Sequence, residues 1–91
     1  MFKPNPKAQV ELKFRELFGR DLKPKVLGHR MTPAECKAHG VPCTTRDGTY
    51  VTEVFLDGQM IARAANRDWR KAYKLLKLEV ENLFAAGTSI T

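Results

Sequence analysis

The chain is short of cysteine, of clustered acidic residues and of long apolar runs. Two cysteines, Cys36 and Cys43, are too few for the disulfide framework of a small secreted domain. They read as reduced thiols or metal ligands. No apolar run approaches the roughly 20 residues of a membrane span. The opening Met-Phe-Lys-Pro-Asn-Pro lacks the apolar stretch of a signal peptide. Together these absences imply an intracellular protein, cytoplasmic or nuclear. Glu11, Glu16, Asp21 and Glu35 are scattered, and Asp68, Glu79 and Glu81 sit among basic or apolar neighbours. None of them forms the carboxylate cluster a two-metal hydrolase needs. Nothing marks an oxyanion donor for a catalytic Cys–His pair either. The chain therefore reads as a binding protein and not as an enzyme.

What is present is one small domain of 91 residues, 43% hydrophobic and 29% charged. The net charge of +6 suits a polyanionic partner, nucleic acid before membrane. There is no internal repeat. Asn5-Pro6 opens a first helix: Asn caps well, and Pro fits the first helical position because its missing N–H would be unpaired there. Val10, Phe14, Leu17 and Phe18 give that helix one apolar face, and Gly19 stops it. Residues 22–28 read as a short strand. Residues 29–48 have no clean period and read as a long loop, in which Thr32 and Glu35 can close a single capped turn.

The signal sharpens from Thr49. Residues 50–56 are rich in β-branched and aromatic side chains. Asp57-Gly58 supplies the positive φ values of a two-residue hairpin turn, and residues 59–64 return as the next strand. Asn66 or Asp68 caps a last helix whose apolar stripe is Trp69, Ala72, Tyr73, Leu76, Val80, Leu83 and Phe84. Arg67, Arg70, Lys71, Lys74 and Lys77 take the other side, where a helix start also favours anions. Residues 87–91 read as a flexible tail. A three-stranded antiparallel sheet has one face to bury, and two helices covering it make a two-layer α+β domain over about residues 5–84.

Residues 49–74 resemble the double-stranded RNA-binding domain (dsRBD) family, and the element order matches it over roughly residues 5–84. The resemblance rests on Tyr50 opening the second strand, on Glu53-Val54 and on the Asp57-Gly58 turn. Ala62 and Ala64 in the third strand and Arg70 with Ala72 in the last helix complete it. It implies the α-β-β-β-α fold, with both helices on one face of the sheet, and non-catalytic binding of duplex RNA by shape and phosphate contacts. Carried over, Lys7, Gln9, Leu12, Lys13 and Arg15 with Ala8 form the helix 1 surface for one minor groove. Arg46 stands where the family's loop carries a His, and Arg67, Arg70, Lys71 and Lys74 form the phosphate clamp. Trp69 and Tyr73 stand where the family has lysines. Leu12, Leu75 and Leu78 lie off the core stripes, which keeps open a protein-interaction or self-association module on the same fold.

All four His and Cys residues fall between positions 29 and 43, as His29-x6-Cys36-x2-His39-x3-Cys43. A His2Cys2 set of this kind is one a structural zinc ion takes, and zinc there would staple the 29–48 insertion.

Overall fold

The computed structural model describes residues 5–43, 46 and 48–87. Six elements follow one another: α1 (Pro6–Phe18), β1 (Lys25–Met31), α2 (Pro33–His39), β2 (Thr49–Leu56), β3 (Gln59–Asn66) and α3 (Trp69–Ala85). The strands form one antiparallel sheet in the order β1-β2-β3. The α-β-β-β-α arrangement expected from the sequence is present, with one helix more. No helix among the described residues is long and apolar enough to cross a membrane.

Local chemistry starts and stops the elements as the sequence predicts. The Asn5 side chain accepts the Ala8 N–H at 2.6 Å, and Gly19 closes α1 with its N–H on the Arg15 carbonyl. Asp57 (φ 53°) and Gly58 (φ 80°) turn β2 into β3. The ladder shifts register between Val54 and Phe55, so Phe55 pairs with Met60 while Val54 pairs with Ala62.

The pleat sends alternate residues of β2 to opposite faces. Tyr50, Thr52 and Val54 meet α1 and α3, where Val10, Phe14, Val26, Tyr73, Leu76 and Val80 build the main core. Val51 points the other way and packs with Met31, Cys36 and Val41 in a second cluster. Glu53, on that same face, is 8% exposed and receives Arg63 from β3, at 3.3 Å and 3.4 Å to one carboxylate oxygen. Arg63 also donates to the His39 carbonyl at the end of α2, which ties α2 to the back of the sheet.

Three expectations change. The first strand runs over 25–31 instead of 22–28. Pro24 is buried ahead of it and has no N–H to give a ladder, so pairing begins at Lys25 opposite Phe55. Residues 29–48 are not a plain loop: 29–31 belong to β1, and 33–39 form a seven-residue helix with both halves of the Thr32–Glu35 capping box made. A buried Cys36 anchors that helix, which gives so short a segment the tertiary support it needs. Finally, Trp69 is 42% exposed and Phe84 50% exposed, so neither belongs to the core stripe of α3. Of the expected 87–91 tail, residues 88–91 lie outside the described residues.

Candidate nucleic-acid interface

The start of α3 is held in place from three directions. Asp68 caps it, its side chain accepting the Arg70 N–H at 2.9 Å, while Asn66 accepts the Asp68 N–H at 2.9 Å. Thr52, fully buried in β2, donates toward the Ala72 carbonyl of the first turn at 3.1 Å. Arg30, at the end of β1, reaches the Arg67 carbonyl at 3.3 Å. These bonds fix the backbone of the helix start relative to the sheet. At the amide end of the helix the Asp68 carboxylate takes the Arg70 N–H, so an anion approaching there shares that end with a carboxylate.

The expected phosphate clamp divides in two. Arg70 and Lys74 line a groove between α1 and α3, joined by Lys77 from the next turn and by Gln9 from α1. Arg67 and Lys71 lie on the other side of the helix start, in a shallow depression with Pro42, Ala65, Asn66 and Asp68. Arg67, Arg70, Lys71 and Lys74 are exposed. The ion pairs among the described residues are Lys13–Glu16 and Arg63–Glu53, and neither engages a cation of α3. This band of positive charge is thus available to a ligand.

The helix 1 surface is less uniform. Lys7 and Gln9 are exposed, and Leu12 is 57% exposed. Lys13 is half-buried and pairs with Glu16 at 3.6 Å. Arg15 is half-buried, and its Nε donates to the Leu22 carbonyl at 3.1 Å, which stitches α1 to the segment leading into β1. Arg15 therefore acts first as a structural link. Arg46 is exposed between β1 and β2; Thr44 and Thr45 beside it lie outside the described residues. Arg30 was not singled out by sequence reasoning. It falls in the stretch expected to be a loop, and only the run of β1 to Met31 and its pairing with β2 bring it to the start of α3.

The His/Cys set does not fit a metal as arranged. Cys36 is 1% exposed in the second cluster, with its Sγ directed at the Met31 carbonyl and against Cys43. Burial first, then the neighbouring Cys43 thiol, push the Cys36 thiol above its ordinary range. His29 and His39 are exposed on β1 and at the end of α2. Among the described residues no group of three or more His, Cys, Asp or Glu is placed to hold a metal ion. The expected zinc ligands His29, Cys36, His39 and Cys43 thus resolve into a thiol pair with a packing role and two surface imidazoles. Cys36 is drawn inward by Met31, Val41 and Val51.

No protein-family model and no curated protein matches the chain. Among solved structures it is similar to the C-terminal dsRBD of the fission yeast Dicer. The identity is 16% and the TM-score 0.48, over 96% of this chain and 85% of that one.

Proposed function

We propose that this domain binds double-stranded RNA without catalysis, reading the shape and phosphates of the duplex from the face formed by α1 and the start of α3. The observation that carries the reading is the set of cations at the first turns of α3. Arg67, Arg70, Lys71 and Lys74 project from a helix start locked to the sheet by Thr52 and Arg30. None of them is spent on an ion pair among the described residues. A helix start tied to the sheet presents these cations from a fixed backbone, and a duplex offers phosphates at fixed spacing. Lys7, Gln9 and Lys13 on α1, and Arg46 between β1 and β2, supply the flanking contacts.

The test is an electrophoretic mobility shift with duplex RNA, duplex DNA and single-stranded RNA at two salt concentrations. Binding to duplex RNA should weaken steeply as salt rises, because each neutralised phosphate releases counterions. The triple substitution Arg70→Ala, Lys71→Ala, Lys74→Ala should remove most of the affinity. Salt-insensitive binding, or an unchanged triple variant, would exclude this function. Leu12, Leu75 and Leu78 are 57%, 38% and 51% exposed and support a second reading, self-association or a protein partner. Sedimentation separates the two: a monomer that binds duplex RNA leaves no need for it.

A further inference from the structure

Trp69 is an odd residue for a surface that meets only paired RNA. Inside a duplex the base faces are covered by their neighbours, and what a protein meets is phosphate, ribose hydroxyl and base edge. An indole gains little from any of these. It gains most from the exposed face of an unpaired base. Trp69 is the first residue of α3, 42% exposed, and lies among the cations of the proposed interface.

Its surroundings are those of a stacking site. The Tyr73 ring meets the indole edge-on, with centroids 6.3 Å apart at 85°, so the indole is held from within the core. The Arg70 guanidinium lies over the indole, 5.4 Å from its centroid, so one ring face already carries a cation and a base would stack on the other face or take the guanidinium's place. Trp69 and Arg70 both open onto the groove between α1 and α3, a space of about 830 Å³ with Pro6 and Val10 on one wall and Tyr73 and Leu78 on the other. That volume is within the range of about 300–1,000 Å³ typical of clefts for small organic groups. Arg70, Lys74 and Lys77 recur along its α3 rim at successive turns, and Glu81 follows them, so the cationic edge lies at the end of the groove nearest Trp69. An apolar floor, an exposed indole and a cationic rim together complement a nucleotide: base, sugar and phosphate. An apolar peptide would leave the rim unused.

We infer that the α1–α3 groove takes an unpaired nucleotide at the end of an RNA duplex, its base stacked on Trp69 and its phosphate held by Arg70, Lys74 and Lys77. The inference rests on the duplex-binding reading above and adds to it a preference for duplexes with a single-stranded extension.

The chain has one tryptophan, so its fluorescence reports on this site alone. The full chain is titrated with a blunt RNA duplex of about 16 base pairs, the span of one such domain, and with the same duplex carrying two unpaired adenosines at one 3′ end. The extended duplex should bind about tenfold more tightly, the size of one stacked base, and should quench the fluorescence more strongly than the blunt duplex. Trp69→Ala should erase the difference in affinity between the two duplexes, and Trp69→Phe should restore part of it. Equal affinity and equal fluorescence change for the two duplexes overturns the inference and leaves duplex binding standing. Failure of both RNAs to bind overturns duplex binding and the inference with it. Quenching by an apolar peptide, with none by the extended RNA, reassigns the groove to a protein partner.

Discussion

The hydroxyl of Thr52 lies 3.1 Å from the carbonyl oxygen of Ala72, so the centre of β2 is bonded to the first turn of the helix that carries the proposed RNA contacts. The same hydroxyl is 3.1 Å from the Ala64 carbonyl of β3, and Thr52 has no exposed surface. Thr52→Val keeps the shape and leaves buried carbonyl oxygens without this donor. It should cost about 1 kcal/mol of stability, measured by denaturant unfolding, and Thr52→Ser should recover much of it. Duplex-RNA affinity of Thr52→Val should fall as well, because the helix start is then less firmly placed. A fully stable Thr52→Val protein would show that packing alone positions α3.

The parts legible in the sequence are those set by local chemistry. Asn5-Pro6, Thr32 with Glu35, and Asp57-Gly58 each specify a cap or a turn within a few residues, and all appear as expected. The buried positions of α3 follow helical spacing from Ala72 to Val80. What escaped depends on contacts distant in sequence. Nothing near Cys36 says that Val51, fifteen positions on, will face the back of the sheet and draw α2 onto it. Arg63 looks like one more basic residue until the register places it opposite Glu53. Likewise Arg15 looks like an RNA contact, and only the path of residues 19–24 gives its Nε a carbonyl to bind. Spacing groups Arg67, Arg70, Lys71 and Lys74, whereas the groove beside α1 takes only Arg70 and Lys74 from that set.

Gly28 is required by two phenols. A Cβ at this position would overlap the Tyr73 hydroxyl and stand 2.7 Å from the Tyr50 hydroxyl, which meet above β1. Gly28→Ala should therefore push the tyrosine rings off their packing and destabilise the domain by roughly 1–3 kcal/mol, the usual cost of overfilling a core. The denaturation midpoint measures this directly. In Gly28→Ala combined with Tyr73→Phe, which removes the nearer hydroxyl, the two losses should be less than additive. Strict additivity would mean that Gly28 and Tyr73 do not share one space.

Stability should decline in alkali, for a reason located at Tyr73 and Cys36. Burial, and then the hydrogen bond to Tyr50, raise the Tyr73 phenol above its ordinary value of 10.0. Burial and the Cys43 thiol raise Cys36 above 9.0. In each case the fold prefers the protonated form, so the unfolded chain releases its proton first as pH rises. The stabilisation is complete below the unfolded values. It is lost as pH climbs past about 9 for Cys36 and about 10 for Tyr73 toward their raised folded values. Denaturant midpoints measured from neutral pH upward should show this decline. Tyr73→Phe should be less stable at neutral pH by about 1 kcal/mol and should decline less above pH 10. A parallel decline in both proteins would remove Tyr73 as a cause.

Arg15 and Lys71 separate structural cations from those offered to RNA. Arg15 is half-buried with its Nε on the Leu22 carbonyl, while Lys71 is exposed beside Arg67 at the start of α3. Arg15→Ala should lose about 1 kcal/mol of stability, with little change in duplex-RNA affinity at temperatures where the protein is folded. Lys71→Ala should behave in the opposite way. Its unfolding should be unchanged within about 0.5 kcal/mol, as for most surface substitutions. Its RNA affinity should drop across all sequences alike, and its dependence on salt should become shallower, because one phosphate contact is gone. Thermal melts and binding titrations at two salt concentrations on the same two proteins decide the matter. If Arg15→Ala weakens binding as much as Lys71→Ala while remaining equally stable, then α1 contacts the duplex through Arg15, and the bond to Leu22 is given up on binding.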